Sequence, residues 1–454
     1  MEDQSNNSLT ANDMHMLYLL EQLIKDKILN LVYKDDITQM TNWAIIQQLN
    51  IFQLKLIKFP SQISSLTNNQ IKVLIAEECN INFKDFKMYN IQDLQLIKCS
   101  GTVDDLSQFH KLSNFTYSKN YKDIQFLQNM KQLVQLDISE NYIQNIKMLG
   151  DLVNLEELNL SKNLCGDITP LKKLTKLIKL DLCSQQYIKY SDRVNILTNI
   201  QTLKYLINLK ELDISQNSIA EISPLKCLKS LSKLILRANN VYDLSPLKLL
   251  INLCKLDIAE NCWVDLSPLK YLVNLNYLSI SRCVLKTKLK SSLDISSLQY
   301  LTQLSSLFMQ QSQVFDISVL RPLTNLKEIA IDGNKITDLR PLENAKQLKY
   351  ISLNDNYIQD LSAISFYRNI QYIKLQYQLK PTQGQLNQSK RTHLIYITTT
   401  CLRQIGKWRQ STKQIIASVK YNANSNIQTI LNNHIQCITL VGALFSSMYI
   451  SDGQ

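Results

Sequence analysis

The chain has 454 residues, a formal net charge of +12 and 45% hydrophobic residues, an ordinary apolar content for a folded protein. Eight glycines in that length leave little material for phosphate-binding loops, and GxxxxGK, GxGxxG, GxSxG and HExxH are all absent. The four histidines, His15, His110, His393 and His434, lie far apart without a second ligand at metal spacing, so no catalytic residue, metal or cofactor is expected.

The amino terminus, MEDQSNNSLTANDMHMLYLL, opens acidic and polar and has no basic region or small-residue cleavage site. It does not read as a secretory signal. Met16, Leu19, Leu20, Leu23, Ile24 and Ile28 follow the helix period, so residues 1–40 are expected to form a helical segment that caps the exposed edge of the first repeat. Residues 41–126 then read as degenerate repeats, with Cys79 and Cys99 at a position that Asn occupies downstream.

From residue 127 to 375 the repeat is regular. Leu206, Leu209, Leu212, Ile214, Asn217, Ile219, Ile222 and Leu225 are matched 22 residues later by Leu228, Leu231, Leu234, Leu236, Asn239, Val241, Leu244 and Leu247. The LxL core alternates apolar and polar residues as a half-buried strand does. A buried Asn can donate and accept, which suits the turn away from the strand, and Asn141, Asn163, Asn217, Asn239, Asn261, Asn334 and Asn356 are expected to form such a ladder. The Ser-Pro or Thr-Pro downstream of the Asn sets a short helix or 3₁₀ turn to begin near Pro224, Pro246 and Pro268, with the hydroxyl as its cap.

These units resemble the leucine-rich repeat pattern LxxLxLxxN over residues 67–375, and within it the 22-residue class of phosphatase-1 regulatory-subunit-like and internalin-like proteins. The resemblance implies an α/β solenoid: a horseshoe with a concave parallel β-sheet and short helices or 3₁₀ turns on the convex side. It also implies a non-enzymatic interaction scaffold or regulatory subunit, with a phosphatase catalytic subunit as one candidate partner.

Three positions per strand point outward, six, four and two residues before the Asn. They place Asp137, Asp181, Asp213, Ile235, Asp257, Tyr277, Phe308 and Tyr350 on the concave face, where aromatics in a solvated setting suit a protein partner. The carboxylates argue against nucleic acid there. Cross-strand packing is the competing reading of the aromatics, and solubility that of the acids.

Extra residues near 186–202 and 286–297 break the period and are expected to be loops, with binding and plain surface roles both open. Residues 376–454 form a polar tail with eight Lys and Arg against Asp452, partly helical or disordered. Its last apolar run, CITLVGALFSSMYI, is short for a membrane span. Membrane contact through this tail, or a surface adhesion role, is the alternative function. Ten cysteines without CxxC pairs suggest reduced thiols and an intracellular, cytoplasmic or nuclear, location.

Overall fold

The computed structural model describes residues 28–32, 51–58, 70–81, 89–100, 396–398 and, short stretches apart, 103–375; residues 186–196, 284–291 and 359–368 are among those stretches. It divides into two compact units, Met1–Ile235 and Leu236–Gln454.

The first unit stacks ten parallel strands in sequence order. Five are five residues long: β1 (Ile28–Val32), β2 (Gln53–Ile57), β3 (Val73–Glu77), β4 (Asp93–Ile97) and β5 (Asn114–Ser118). Five more have three: β6 (Gln135–Asp137), β7 (Glu157–Asn159), β8 (Lys179–Asp181), β9 (Glu211–Asp213) and β10 (Lys233–Ile235). Pairing is repeat on repeat, Leu158 against Leu180 and Leu180 against Leu212, so the central leucine of each LxL meets its counterpart and is buried. The second unit holds β11 (Lys255–Asp257), β12 (Tyr277–Ser279), β13 (Ser306–Phe308), β14 (Glu328–Ala330), β15 (Tyr350–Ser352) and β16 (Tyr372–Lys374), all parallel. Against β16 lies β17 (Tyr396–Thr398), antiparallel. Each unit is thus a solenoid whose apolar residues are shared only between neighbours.

Two expectations change at the ends. The helix period runs through Ile28 in the sequence, yet Ile28–Val32 is strand, with Leu29 opposite Leu54 and Leu31 opposite Leu56. An ILNLV stretch can satisfy either period, and pairing with β2 decides it. The rest of the expected helix lies outside the described residues. The polar tail in turn contributes β17, whose backbone occupies the edge of β16.

Of the two outer elements expected, the described repeats use the 3₁₀ turn, for example at Ser223–Cys227 in the first unit and Ser245–Leu249 and Ser267–Tyr271 in the second. Pro stands at the start as expected, but the Ser hydroxyl is not the cap. An acid two residues earlier takes that role: Ser245 N–H donates to Asp243 Oδ1 at 2.8 Å and Ser267 N–H to Asp265 Oδ1 at 2.7 Å. The Asp closes a small side-chain turn onto the backbone N–H, which Ser, whose hydroxyl instead bonds the second carboxylate oxygen at 2.8 Å, does not need to do.

The Asn ladder saturates the other end of each strand. Asn163 donates through Nδ2 to the carbonyls of Ile138 and Leu160 at 2.9 and 3.0 Å, and its Oδ1 accepts from the N–H of Asn141 and Ile143 at 3.0 Å each. Asn334 makes the same four bonds in the second unit, to Met309, Ile331, Ser312 and Val314. Where Gln185 replaces Asn, its longer amide still reaches Leu160 O and Cys165 N. Where Cys99 does, the thiol donates weakly to Ala76 O at 3.3 Å.

The residue just before each ladder position is left-handed, with φ from 52° to 66°, as at Lys162, Gln216, Glu260 and Gly333. Such a backbone costs a non-glycine residue about 1–2 kcal/mol, and the four bonds of the adjoining Asn offset it. At position 333 a Cβ would sit 2.8 Å from Gln311 Cγ, which explains the glycine there.

Candidate functional site

Each strand presents its outward positions on one face, and the two units use them differently. In the first unit the middle column runs through Thr116, Asp137, Asn159, Asp181 and Asp213 to Ile235, half-buried throughout. Four of these side chains bind the chain that carries them. Asp137 Oδ1 accepts the N–H of Ser139, Asn159 that of Ser161, Asp181 that of Cys183 and Asp213 that of Ser215, each at 2.9 Å. The column therefore holds the strand ends together.

Packing carboxylates in file has an electrostatic cost. Burial, with the Asp213 and Asp137 charges adding to it, pushes the Asp181 carboxyl up to about 6 against the relief from Cys183 N–H. Asp137 and Asn159 ease their own contact with a bond of 2.9 Å from the amide. A shallow cavity of about 260 Å³ opens on this face, lined among others by Asp93, Asn114, Asp137, Lys179 and Asp181.

Donor atoms of Asp181, Cys183 and Asp213 lie within 4.8 Å of one another, the one such trio among the described residues. Ser215 Oγ sits 2.6 Å from Asp213 Oδ1 and 3.2 Å from Cys183 Sγ, while burial pushes the Cys183 thiol up and disfavours the thiolate a metal needs. Burial likewise raises Cys165 to about 12 and Cys283 to about 11, and the eight described cysteines are free thiols.

The second unit replaces carboxylates with rings. Tyr277 and Phe308 pack across β12 and β13 with centroids 5.3 Å apart, and Lys255 Nζ stands 4.5 Å from the Tyr277 ring. Two strands further on, Tyr350 stacks on Tyr372 at 5.1 Å and 5°, with Lys374 Nζ 5.4 Å from the Tyr372 ring. Tyr277, Phe308, Tyr350 and Tyr372 are all half-buried, so the rings satisfy each other along their edges and still offer faces to solvent.

Asp257 keeps its register in the middle column, where it pairs opposite Ser279, but is more deeply set than the other aspartates there. It is buried, 8% exposed, bonded to the Ala259 N–H at 3.0 Å and to the Ser279 side chain. Its neighbour Tyr277, half-buried beside it, also shares its field, since the Asp257 charge helps burial raise the Tyr277 hydroxyl.

Among the expected face residues, the structure thus files Asp137, Asp181 and Asp213 together with Ile235 in one unit. It pairs Tyr277 with Phe308 in the other and sets Tyr350 apart with Tyr372. That last tyrosine was missed, although its register six residues before the ladder position, with Tyr350 one period earlier, was available in the sequence. Of the two insertions, residues 186–196 and 286–291 lie outside the described residues, while the ends of both already belong to the 3₁₀ turns Gln201–Tyr205 and Ser296–Tyr300.

A family model described as Leucine Rich repeats (2 copies) matches residues 324–366. Among solved structures, an internalin from Listeria monocytogenes is similar at 23% identity, with 82% of this chain and 95% of that one covered and a TM-score of 0.57. A leucine-rich repeat protein of Leptospira interrogans is similar at 20%, covering 76% and 89%, with a TM-score of 0.63. So is the ectodomain of the plant receptor kinase GASSHO1/SCHENGEN3 from Arabidopsis thaliana in complex with Casparian Strip Integrity Factor 2, at 18%, covering 74% and 42%, with a TM-score of 0.54. Among the curated proteins no match was found. These likenesses establish the leucine-rich-repeat solenoid, and they lend no support to a phosphatase partner.

Proposed function

We propose that this chain, a leucine-rich-repeat solenoid, is a non-enzymatic protein that binds a protein partner on the strand face of its second unit. The observation that carries this reading is the half-buried set Tyr277, Phe308, Tyr350 and Tyr372, in two cross-strand pairs with Lys255 and Lys374 over the rings. Rigid aromatics contribute contact area at low entropic cost and dominate protein interfaces. Their mutual packing preorganises them, so less freedom is lost when a partner arrives. That one structural neighbour is a receptor ectodomain solved as a complex agrees with a binding role for this fold.

The test is an affinity pull-down from lysate with the full chain and with the triple variant Tyr277→Ala, Phe308→Ala, Tyr350→Ala, read by mass spectrometry. A protein held by the wild type and lost from a folded variant supports the reading; an unchanged set of bound proteins refutes it.

Surface adhesion is the second reading, favoured by the internalin among the structural neighbours. No helix among the described residues is long and apolar enough to cross a membrane. Fractionation of the full chain against a truncation after Leu375 separates the readings: membrane retention confined to the full chain favours an anchored protein.

A further inference from the structure

A cavity of about 480 Å³ opens on the outer side of the first unit, where the 3₁₀ turn Thr169–Lys173 packs against the turn Gln201–Tyr205. That volume lies in the range of small-molecule pockets. Three departures from the repeat meet in its lining. Gly166, three residues after the ladder position, stands where other repeats carry Tyr242 or Phe315. Thr202 stands where Pro170, Pro224, Pro246 and Pro268 begin their turns. Asn199 accepts the Gln201 N–H at 2.9 Å, a duty that Glu221, Asp243, Asp265, Asp294 and Asp316 perform with a carboxylate. The first change removes bulk, the second adds a hydroxyl and the third removes a negative charge.

The charge left on the lining is mainly positive. Lys172 and Lys204 hold the same register one repeat apart, both are exposed, and neither makes an ion pair among the described residues. Lys173, the next residue, is by contrast paired with Asp151 at 3.4 Å. The one acid in the lining, Asp167, is spent within its own turn. Its Oδ1 accepts the Thr169 hydroxyl at 2.5 Å and the Thr169 N–H at 2.8 Å, and these bonds, with the Lys147 charge adding to them, hold the carboxyl below the usual range. Two ammonium groups on neighbouring repeats repel until an anion bridges them. Beside them stand Asn199, whose Oδ1 is taken so that its NH₂ faces outward use, and the side chains of Gln201 and Thr202.

We propose that this cavity binds a small phosphate monoester with a hydroxyl-bearing body, of the sugar-phosphate class. A phosphate monoester carries nearly two negative charges at neutral pH, which the two ammonium groups match, and lysine holds phosphate as a point charge. The cavity has room for more than the phosphate, and the amides of Asn199 and Gln201 with the Thr202 hydroxyl suit the hydroxyl groups of the body. Tyr205, with Lys204 Nζ 5.2 Å from its ring, adds an aromatic face to the lining. The strand-face residues take no part, so this site and the protein-binding face fail independently.

Isothermal titration calorimetry of the full chain with glucose 6-phosphate, glycerol 3-phosphate, glucose and inorganic phosphate tests the proposal. Saturable binding of at least one ester is expected, roughly tenfold or more tighter than that of glucose or of inorganic phosphate. The pair Lys172→Ala, Lys204→Ala should weaken it by roughly tenfold or more. Asn199→Asp and Thr202→Pro should weaken it too, and because they install the residues that other repeats carry at those positions, they keep the fold, which circular dichroism checks. The pair Lys226→Ala, Lys248→Ala, in the same register but outside the cavity, should leave binding unchanged. No saturable binding of either ester overturns the proposal. So does ester binding that the Lys172, Lys204 pair and Asn199→Asp both leave unchanged, and so does inorganic phosphate binding as tightly as the esters, which would mean an adventitious ion only.

Discussion

The strand faces of the two units are built on the same register and do opposite things with it. In the first unit the middle outward position is an acid or amide that reaches back to a backbone N–H two residues on, from Asp137 to Asp213. In the second unit that duty stops after Asp257, and the next strands carry Ser279, Phe308, Ala330 and Ser352 there. Turn closure passes to other groups: Ser281 Oγ accepts the N–H of Gln310 at 3.0 Å and Asp332 Oδ1 that of Asn354 at 2.9 Å. A face whose side chains are engaged with their own backbone has little left for a partner. Once those duties move elsewhere, the same positions are open to aromatics.

The contrast predicts where substitutions will be felt, and the ladder common to both units supplies the reference. Asn163→Leu and Asn334→Leu each strand four buried backbone groups and should cost about 3–5 kcal/mol, equally in the two units, by denaturant unfolding. An unequal pair would mean that the units differ below the face as well as on it. Removal of the Phe308 ring together with Tyr277 should weaken partner binding by about 2 kcal/mol or more with stability little altered. Asp213→Ala should instead lower stability by about 1–2 kcal/mol, through the freed Ser215 N–H and hydroxyl, and leave binding alone.

The smallest effect has a pH signature. Asp181 has a folded pKa of about 6, above the roughly 3.9 of an unfolded aspartate. The neutral acid is the form the fold favours, so its stabilisation is complete below about pH 4 and lost as pH rises through about 6. Asp181→Asn should therefore stabilise the protein by about 1 kcal/mol at pH 7, after discount for its partial exposure, and by nothing near pH 4. Asn can keep the turn, since Asn159 already makes that bond to Ser161 N–H at 2.9 Å. A variant that loses stability at pH 7 would show that the carboxylate charge is required.

Much of this was legible from the repeat itself. LxL alternation, the Asn ladder and the prolines are all set by burial and backbone satisfaction between neighbours, which recur every 22 residues and so announce themselves. What stayed hidden depends on geometry that the repeat does not spell. The left-handed residues before the ladder are mostly Lys, Glu or Gln, and Gly only at 333, so no glycine flags them. Asp in the middle column reads equally as solubility or contact until the 2.9 Å bonds to the backbone are seen. Ile28–Val32 has a pattern that helix and strand share, and only the register with β2 separates them.

Binding by the aromatic face is the central claim, and a titration of the captured partner tests it most directly. Wild type is compared with Tyr277→Ala, Phe308→Ala and, separately, with Asp137→Asn, Asp213→Asn. The account predicts a Kd raised by more than about tenfold in the first variant and nearly unchanged in the second. A Kd that holds in the aromatic variant and rises in the carboxylate variant would contradict it and move the partner to the first unit.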